Sequence, residues 1–158
     1  MSKRIAIACQ AIALPLRTAV QEHLEALGYE VVDQLTAEEQ PVVSFTVAAQ
    51  RIAYAVTKGG FEKGIVFCGT GMGVSQVVNK YKGVRGALVE SPFAARQARI
   101  VNDANVLCLG QLLLTPTIAC QIVDEFISHE FLEDETEPDS ARRQRLEAGR
   151  KLLDEIGE

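Results

Sequence analysis

Apolar residues in this chain fall into two alternating patterns: short unbroken runs, and longer stretches in which they recur every three or four positions. The runs predict buried strands and the spaced stretches predict helices with one apolar face. Strands are expected over 4–8, ending at Cys9 and Gln10, then over 29–32, 64–68, 83–89 and 105–109, the last stopped by Gly110. Between them lie helical stripes. Leu16, Val20, Leu24 and Leu27 form one, stopped by Gly28; Ala48, Ile52, Ala55 and Val56 form another within 43–58, closed by Gly59 and Gly60. A third helix covers 74–79. Ser91 and Pro92 fit the cap and first residue of a fourth over 93–101, and Thr115 and Pro116 open a fifth whose face is Ile118, Ile122, Val123 and Phe126. Residues 34–41 are polar and acidic and read as a loop. Strand and helix alternate five times, so a parallel sheet covered on both faces is the economical architecture. Ligands in such sheets bind beyond the C-terminal strand ends. Cys9 and Gln10, 68–73, Glu90 with Ser91, and Gly110 all belong to that edge.

The stretch that carries chemistry is Gly64-Ile65-Val66-Phe67-Cys68-Gly69-Thr70-Gly71-Met72-Gly73-Val74-Ser75. An apolar run meets a cysteine, then glycines at every second position, as a buried strand does when it turns abruptly into a helix. The glycines allow positive φ and close approach of a ligand. The N–H groups that open the following helix have no intrahelical partner and favour negative charge. A thiol in that field is expected to have its pKa lowered, which makes Cys68 a candidate nucleophile or proton-transfer base. Equally, Cys68 could be a small apolar residue that ends a strand.

Composition narrows the field. A chain of 158 residues is one domain's worth, and 47% hydrophobic with 23% charged residues is ordinary for a soluble globular protein. There is no apolar run long enough for a membrane span, and residues 1–4 lead into a strand without a signal peptide's apolar region, so the cytoplasm is the expected location. Net charge is -5, which offers nucleic acid or an anionic membrane no broad attraction; an anionic ligand would be caught locally. Cys9, Cys68, Cys108 and Cys120 are scattered, with no metal or redox spacing, and three of them end or follow apolar runs as buried thiols do. His23 and His129 sit on expected helices with no evident ligand partner beside them, which argues against zinc.

The tail differs in composition. Residues 130–139 are heavily acidic; Arg142, Arg143, Arg145, Arg150 and Lys151 follow on an expected helix with Leu146, Leu153 and Ile156 on one side. Two readings stand: a solvated helix whose charges pair at i,i+4, or an arm that docks on a neighbouring subunit and delivers an arginine to a phosphate. The organisation is accordingly a domain over 1–129, with an acidic linker and C-terminal helix over 130–158.

With the glycine-rich stretch, Asn79-Lys80, Gly83-Val84-Arg85 and Asn102-Asp103-Ala104-Asn105-Val106-Leu107 in order, the chain resembles the family of type B ribose-5-phosphate isomerases and galactose-6-phosphate isomerase subunits, over about residues 3–127. The resemblance implies a Rossmann-like αβα sandwich with five strands, assembled as a homodimer or homotetramer whose active sites are built from two subunits. It implies interconversion of aldose and ketose phosphates through an enediolate, without metal or organic cofactor. Cys68 matches the proton-transfer base. Thr70 would orient that base or contact substrate, and the amides of 69–73 would hold the enediolate oxygen. Gln10, Gly69, Gly71, Met72, Gly73, Ser75, Asn102, Arg142 and Arg145 are the candidate substrate contacts, with Asn102 on a sugar oxygen and Arg145 on the phosphate.

Departures from the family pattern bear on the substrate. Gln10-Ala11 stands where the family carries Asp-His, Val101 replaces the histidine credited with ring opening, and Ala141 occupies a second phosphate-arginine position. Valine cannot transfer a proton. An open-chain substrate, a tetrose or tetrulose phosphate too short for the usual phosphorylated ring, would need no ring opening. Alternatively, Glu90 supplies the missing acid or base; its plain role would be a solvated carboxylate capping the helix at Pro92. The reading is thus an aldose–ketose isomerase of a small sugar phosphate other than ribose 5-phosphate. The alternatives are a half-catalytic or non-catalytic subunit of a heteromer, and a sugar-phosphate-binding module.

Overall fold

The computed structural model describes residues 3–36, 39 and 43–156; the expected loop at 34–41 lies partly outside them. Five strands, β1 (Arg4–Cys9), β2 (Glu30–Asp33), β3 (Lys63–Cys68), β4 (Gly86–Leu88) and β5 (Val106–Gly110), form one all-parallel sheet in the order β2-β1-β3-β5-β4. Among the described residues the α-helices are α1 (Leu14–Ala26), preceded by a 3-10 turn at Ala11–Ala13, α2 (Phe45–Lys58), α3 (Met72–Val78), α4 (Pro92–Ile100), α5 (Pro116–Ser128) and α6 (Ala141–Glu155). Because side chains alternate along a strand, the sheet feeds two cores. Ile5, Ile7, Ile65, Phe67, Leu107 and Leu109 pack against α1, α4 and α5. Ala6, Ala8, Val66, Cys68, Val106 and Cys108 face α2 and α3. β3 is buried at every position, as a central strand covered on both faces must be.

Helix starts follow their caps. The side chains of Ser44, Ser91, Thr115 and Ser140 each accept an N–H three residues on, opening α2, α4, α5 and α6. Ser91, not Glu90, therefore caps the helix at Pro92. The α1 stripe holds at Leu16, Val20 and Leu24, but Leu27 lies past the last helical residue and is exposed, because Gly28 turns the chain with φ of 83°. On α5 the buried face is Ala119, Ile122, Val123, Phe126 and Ile127, with Ile118 at its rim. The fourth strand is shorter than its apolar run. Gly83 takes a left-handed turn, and the Asn105 side-chain oxygen accepts the Arg85 N–H that a longer strand would use in the ladder. Asn79 covers the exposed edge of β4: its side-chain amide donates to the Gly86 carbonyl and accepts the Gly86 N–H.

None of the fifteen residues of α6 is buried. Its charges pair partly at i,i+4, as Arg143 does with Glu147, and partly with the rest of the chain. Both histidines have acidic neighbours that their sequence positions did not announce: His23 meets Asp124 across the α1–α5 contact, and His129 lies between Glu125 and Glu133. Among the described residues there is no group of three metal-ligating side chains, and no helix is long and apolar enough to cross a membrane.

Candidate functional site

In the strand order, β2 lies on one side of β1 and β3 on the other, so the connections diverge between β1 and β3. In parallel sheets such a divergence is where a ligand-binding crevice forms, beyond the C-terminal strand ends. Cys9 and Gln10 leave β1 there and Cys68 ends β3 beside them, with Cys9 opposite Phe67 in register and Gln10 donating its N–H to the Phe67 carbonyl. The half-buried Gln10 side chain has no hydrogen-bond partner among the described residues.

From Cys68 the backbone folds into a tight cradle. Gly71 has φ of 76° and donates its N–H to the Cys68 sulfur at 3.1 Å. Thr70, half-buried, directs its hydroxyl oxygen toward the Met72 N–H at 3.4 Å. The N–H groups of Gly73 and Val74 meet no acceptor among the described residues, as expected for a helix start. Ser75 donates its hydroxyl to the Met72 carbonyl at 2.7 Å, and Met72 is exposed at the rim. Gly71 and Gly73 have no room to spare, whereas a β-carbon on Gly69 would make only an ordinary contact with Leu112 at 3.6 Å. A β-carbon on Gly71 would sit 2.6 Å from a Leu88 methyl, and one on Gly73 would meet the Phe45 ring at 2.9 Å.

Residues after β5 support the cradle, and the sequence pattern did not single out most of them. Gln111 and Leu112 donate N–H groups to the carbonyls of Cys68 and Gly69, and the Gln111 side chain accepts the Leu16 N–H at the start of α1. Gly110, which reads as a strand stop, has a stronger reason to be glycine: a β-carbon there would lie 2.5 Å from the Thr70 carbonyl carbon. Burial pushes the thiols of Cys9 and Cys108 up, as it does the half-buried Cys120, so none of the three is suited to thiolate chemistry. Cys68 is the thiol that meets a helix-opening N–H. Glu90 is exposed just beyond β4 at the same sheet edge, without a hydrogen bond or ion pair among the described residues.

Asn102 and the tail arginines lie elsewhere. Asn102 precedes β5, whereas Cys68 pairs with Gly110 at its far end. Five strand residues put roughly 15 Å between the two ends. Val101 and Asn102 line a cavity of 260 Å³ with Arg145, Leu146, Gly149, Arg150 and Leu153 of α6. An adjoining cavity of 660 Å³ is bordered by Asn102, 79–87 and the end of α6. Arg145 has no ion pair or hydrogen bond among the described residues, whereas Arg142 is clamped by Asp134 and Glu135. One chain thus groups the candidate residues in two sets: Gln10, 68–75 and Glu90 at one sheet edge, and Asn102 and Arg145 at the other.

Comparison with known proteins adds a family. The model described as Ribose/Galactose Isomerase matches residues 5–145. A 4-deoxy-4-sulfo-D-erythrose isomerase of Clostridium sp. (strain MSTE9) is 36% identical over 75% of each chain. A D-erythrulose-4-phosphate isomerase of Pectobacterium atrosepticum is 32% identical over 80% of this chain and 84% of its own. Among solved structures, ribose 5-phosphate isomerase from Thermotoga maritima superposes with a TM-score of 0.82 at 33% identity, covering 97% of this chain and 98% of its own.

Proposed function

The chain belongs to the ribose/galactose isomerase family of sugar-phosphate aldose–ketose isomerases, and from that premise we propose that its substrate is an open-chain four-carbon sugar with a terminal anionic group, read here as a phosphate. The observation that carries the reading is the juxtaposition at the β1–β3 crevice. Cys68 is a thiol with a backbone donor on its sulfur and a cradle of free amides beside it, whereas Gln10 and Ala11 at the same edge cannot shuttle protons at neutral pH.

In this mechanism the Cys68 thiolate takes the proton from the carbon next to the carbonyl. The electron pair moves onto the carbonyl oxygen, giving an enediolate whose charge the N–H groups of 69–73 stabilise. Returning the proton to the neighbouring carbon, with transfer of the hydroxyl proton between the two oxygens, converts aldose to ketose without net oxidation. Thr70 orients the substrate against the sulfur, and Glu90 is the candidate carrier for the oxygen-to-oxygen proton. Ring opening is not required of a tetrose phosphate, which fits Val101 at the place of a titratable residue.

Asn102 and Arg145 complete this site from a second copy of the chain. Their separation from Cys68 within one chain supports that assembly, and the arm reading of the tail supplies the cation for the anionic end. Two relatives named for four-carbon substrates support the chain length, and one of them carries a sulfonate, so both anions belong in the assay.

Proton NMR in deuterated water, with four-, five- and six-carbon aldose and ketose phosphates and a four-carbon sulfonate, tests the reading. Deuterium entering beside the carbonyl of the four-carbon sugars alone is the expected result. Faster exchange with ribose 5-phosphate would refute the open-chain reading. The absence of exchange with every sugar would replace it with a heteromer subunit or a binding protein.

A further inference from the structure

Asp103 follows Asn102 and has φ of 50°, in the left-handed region that Asp and Asn tolerate better than most residues. Its carboxylate receives three guanidinium groups from three elements. Oδ2 accepts from Arg85, just before β4, at 3.0 Å and forms an ion pair with Arg150 Nε on α6 at 2.6 Å; Oδ1 accepts from Arg99 on α4 at 3.3 Å. Arg85 and Arg99 are over-determined. Arg85 also donates to the Asp103 carbonyl and to Asp154, and Arg99 to the carbonyls of Ala104 and His129 and to Glu130. Among the described residues Arg150 has no other anion, and it lies over the Phe131 ring at 6.0 Å.

This asymmetry decides what Asp103 holds. No residue of α6 is buried, so packing contributes little to its attachment, and among the described residues the ion pairs from its C-terminal half to the loops before β4 and β5 are Asp154–Arg85 and Arg150–Asp103. Without the carboxylate, three cations would face one another. Arg85 and Arg99 would keep their remaining acceptors, Asp154 of α6 among them, whereas Arg150 would be released, leaving the C-terminal half of α6 held by the Arg85–Asp154 pair alone.

We infer that Asp103 is a positioning residue that locks Asn102 and the Arg145-bearing helix into one block, so that both reach the substrate of the neighbouring subunit in fixed relation. The inference rests on the proposed role of Asn102 and Arg145 in binding the anionic sugar. Asp103 itself touches no reacting atom. Its loss should weaken substrate binding and leave the proton transfer at Cys68 nearly unchanged.

The test uses the full-length protein, with Asp103→Asn, which keeps a residue suited to positive φ while removing the charge, and Arg150→Ala, an exposed change that leaves the core intact. Amide hydrogen exchange is followed over 101–105 and 141–156, alongside steady-state kinetics with D-erythrulose 4-phosphate and inhibition by inorganic phosphate. Both variants should speed exchange in α6, raise KM and the phosphate inhibition constant at least about fivefold and keep kcat within about twofold. The double variant should be no worse than Asp103→Asn alone.

Unchanged exchange in α6 for Asp103→Asn would overturn the tether, because the residue would then serve only its backbone conformation. Faster exchange with unchanged KM and phosphate inhibition would overturn the functional half, by showing that α6 and its arginine do not meet the substrate. Failure of the wild-type protein to turn over the sugar or bind phosphate would refute the underlying reading and the inference with it, even with the exchange pattern as expected.

Discussion

At one edge of the sheet Gly110 lies so close to Thr70 that no β-carbon fits between them; at the other, Asp103 gathers three arginines at a surface where none of the α6 residues is buried. The cradle edge owes its shape to backbone hydrogen bonds and to missing side chains. The α6 edge owes its shape to charged side chains. Steric closure is unforgiving of an added methyl and indifferent to ionic strength, whereas an ion pair with an exposed member, as Arg150 is, is screened by salt and tolerates changes of volume. In the proposed function the proton chemistry falls to the rigid edge, and recognition of the anionic group to the adjustable one.

The comparison breaks most visibly at Cys68. Cys68→Ala should lower exchange of the substrate's α-proton by at least about a hundredfold while the fold stays intact, the scale of a lost general base. Wild-type exchange rates, measured by NMR in deuterated water, would remove Cys68 from the mechanism. Next comes Gly110→Ala, which forces a methyl onto the Thr70 carbonyl and should cost about 3 kcal/mol in urea denaturation, the upper range for overpacking. That loss should be equal at low and high salt; a salt-dependent loss would blur the distinction between the edges.

At the other edge the effects are smaller and fall on binding. Arg145→Ala should raise KM for the phosphorylated substrate about tenfold, the scale of one charge-assisted contact, with little change for an unphosphorylated analogue. Equal loss for both would sink the phosphate assignment. Glu130, which joins the tail to Lys63 and Arg99, gives the smallest effect. Burial pushes its carboxyl up, but the hydrogen bonds and charges of Lys63 and Arg99 outweigh that, and it lies below the ordinary value of 4.5. A carboxyl depressed in the folded state contributes stability above its unfolded pKa and loses it as pH falls through the folded value. Glu130→Gln should therefore reduce stability at neutral pH and flatten its decline below about pH 4.5, as thermal denaturation against pH would show. A decline as steep as that of the wild type would assign the acid sensitivity elsewhere.

Much of the cradle could be read from the chain because local sequence controls it. An apolar run ending in a cysteine and alternating glycines has few backbone solutions, and Gly71 takes the left-handed conformation that such a turn requires. The same holds for Ser91 and Thr115 as helix caps. Legibility fails where a residue's role depends on distant partners. Nothing in the local sequence marks Gln111, whose side-chain oxygen accepts the Leu16 N–H at the start of α1, 95 positions away. His23 and Asp124 are separated by 101 positions and meet only through the packing of α1 on α5.

By itself the sequence determined the alternation of strand and helix, the parallel sheet and the glycine cradle at Cys68, since hydrophobic period and glycine placement act within a few residues of where they are written. Only the tertiary structure decided that Asn102 and Arg145 lie at the opposite sheet edge from Cys68, that α6 is joined by ion pairs to Asp103 and Arg85 with no residue of its own buried, and that Gly110 must lack a side chain. The reason is physical. Strand order and the convergence of charges on one carboxylate are properties of the packed chain, and the spacing of residues along it does not encode them.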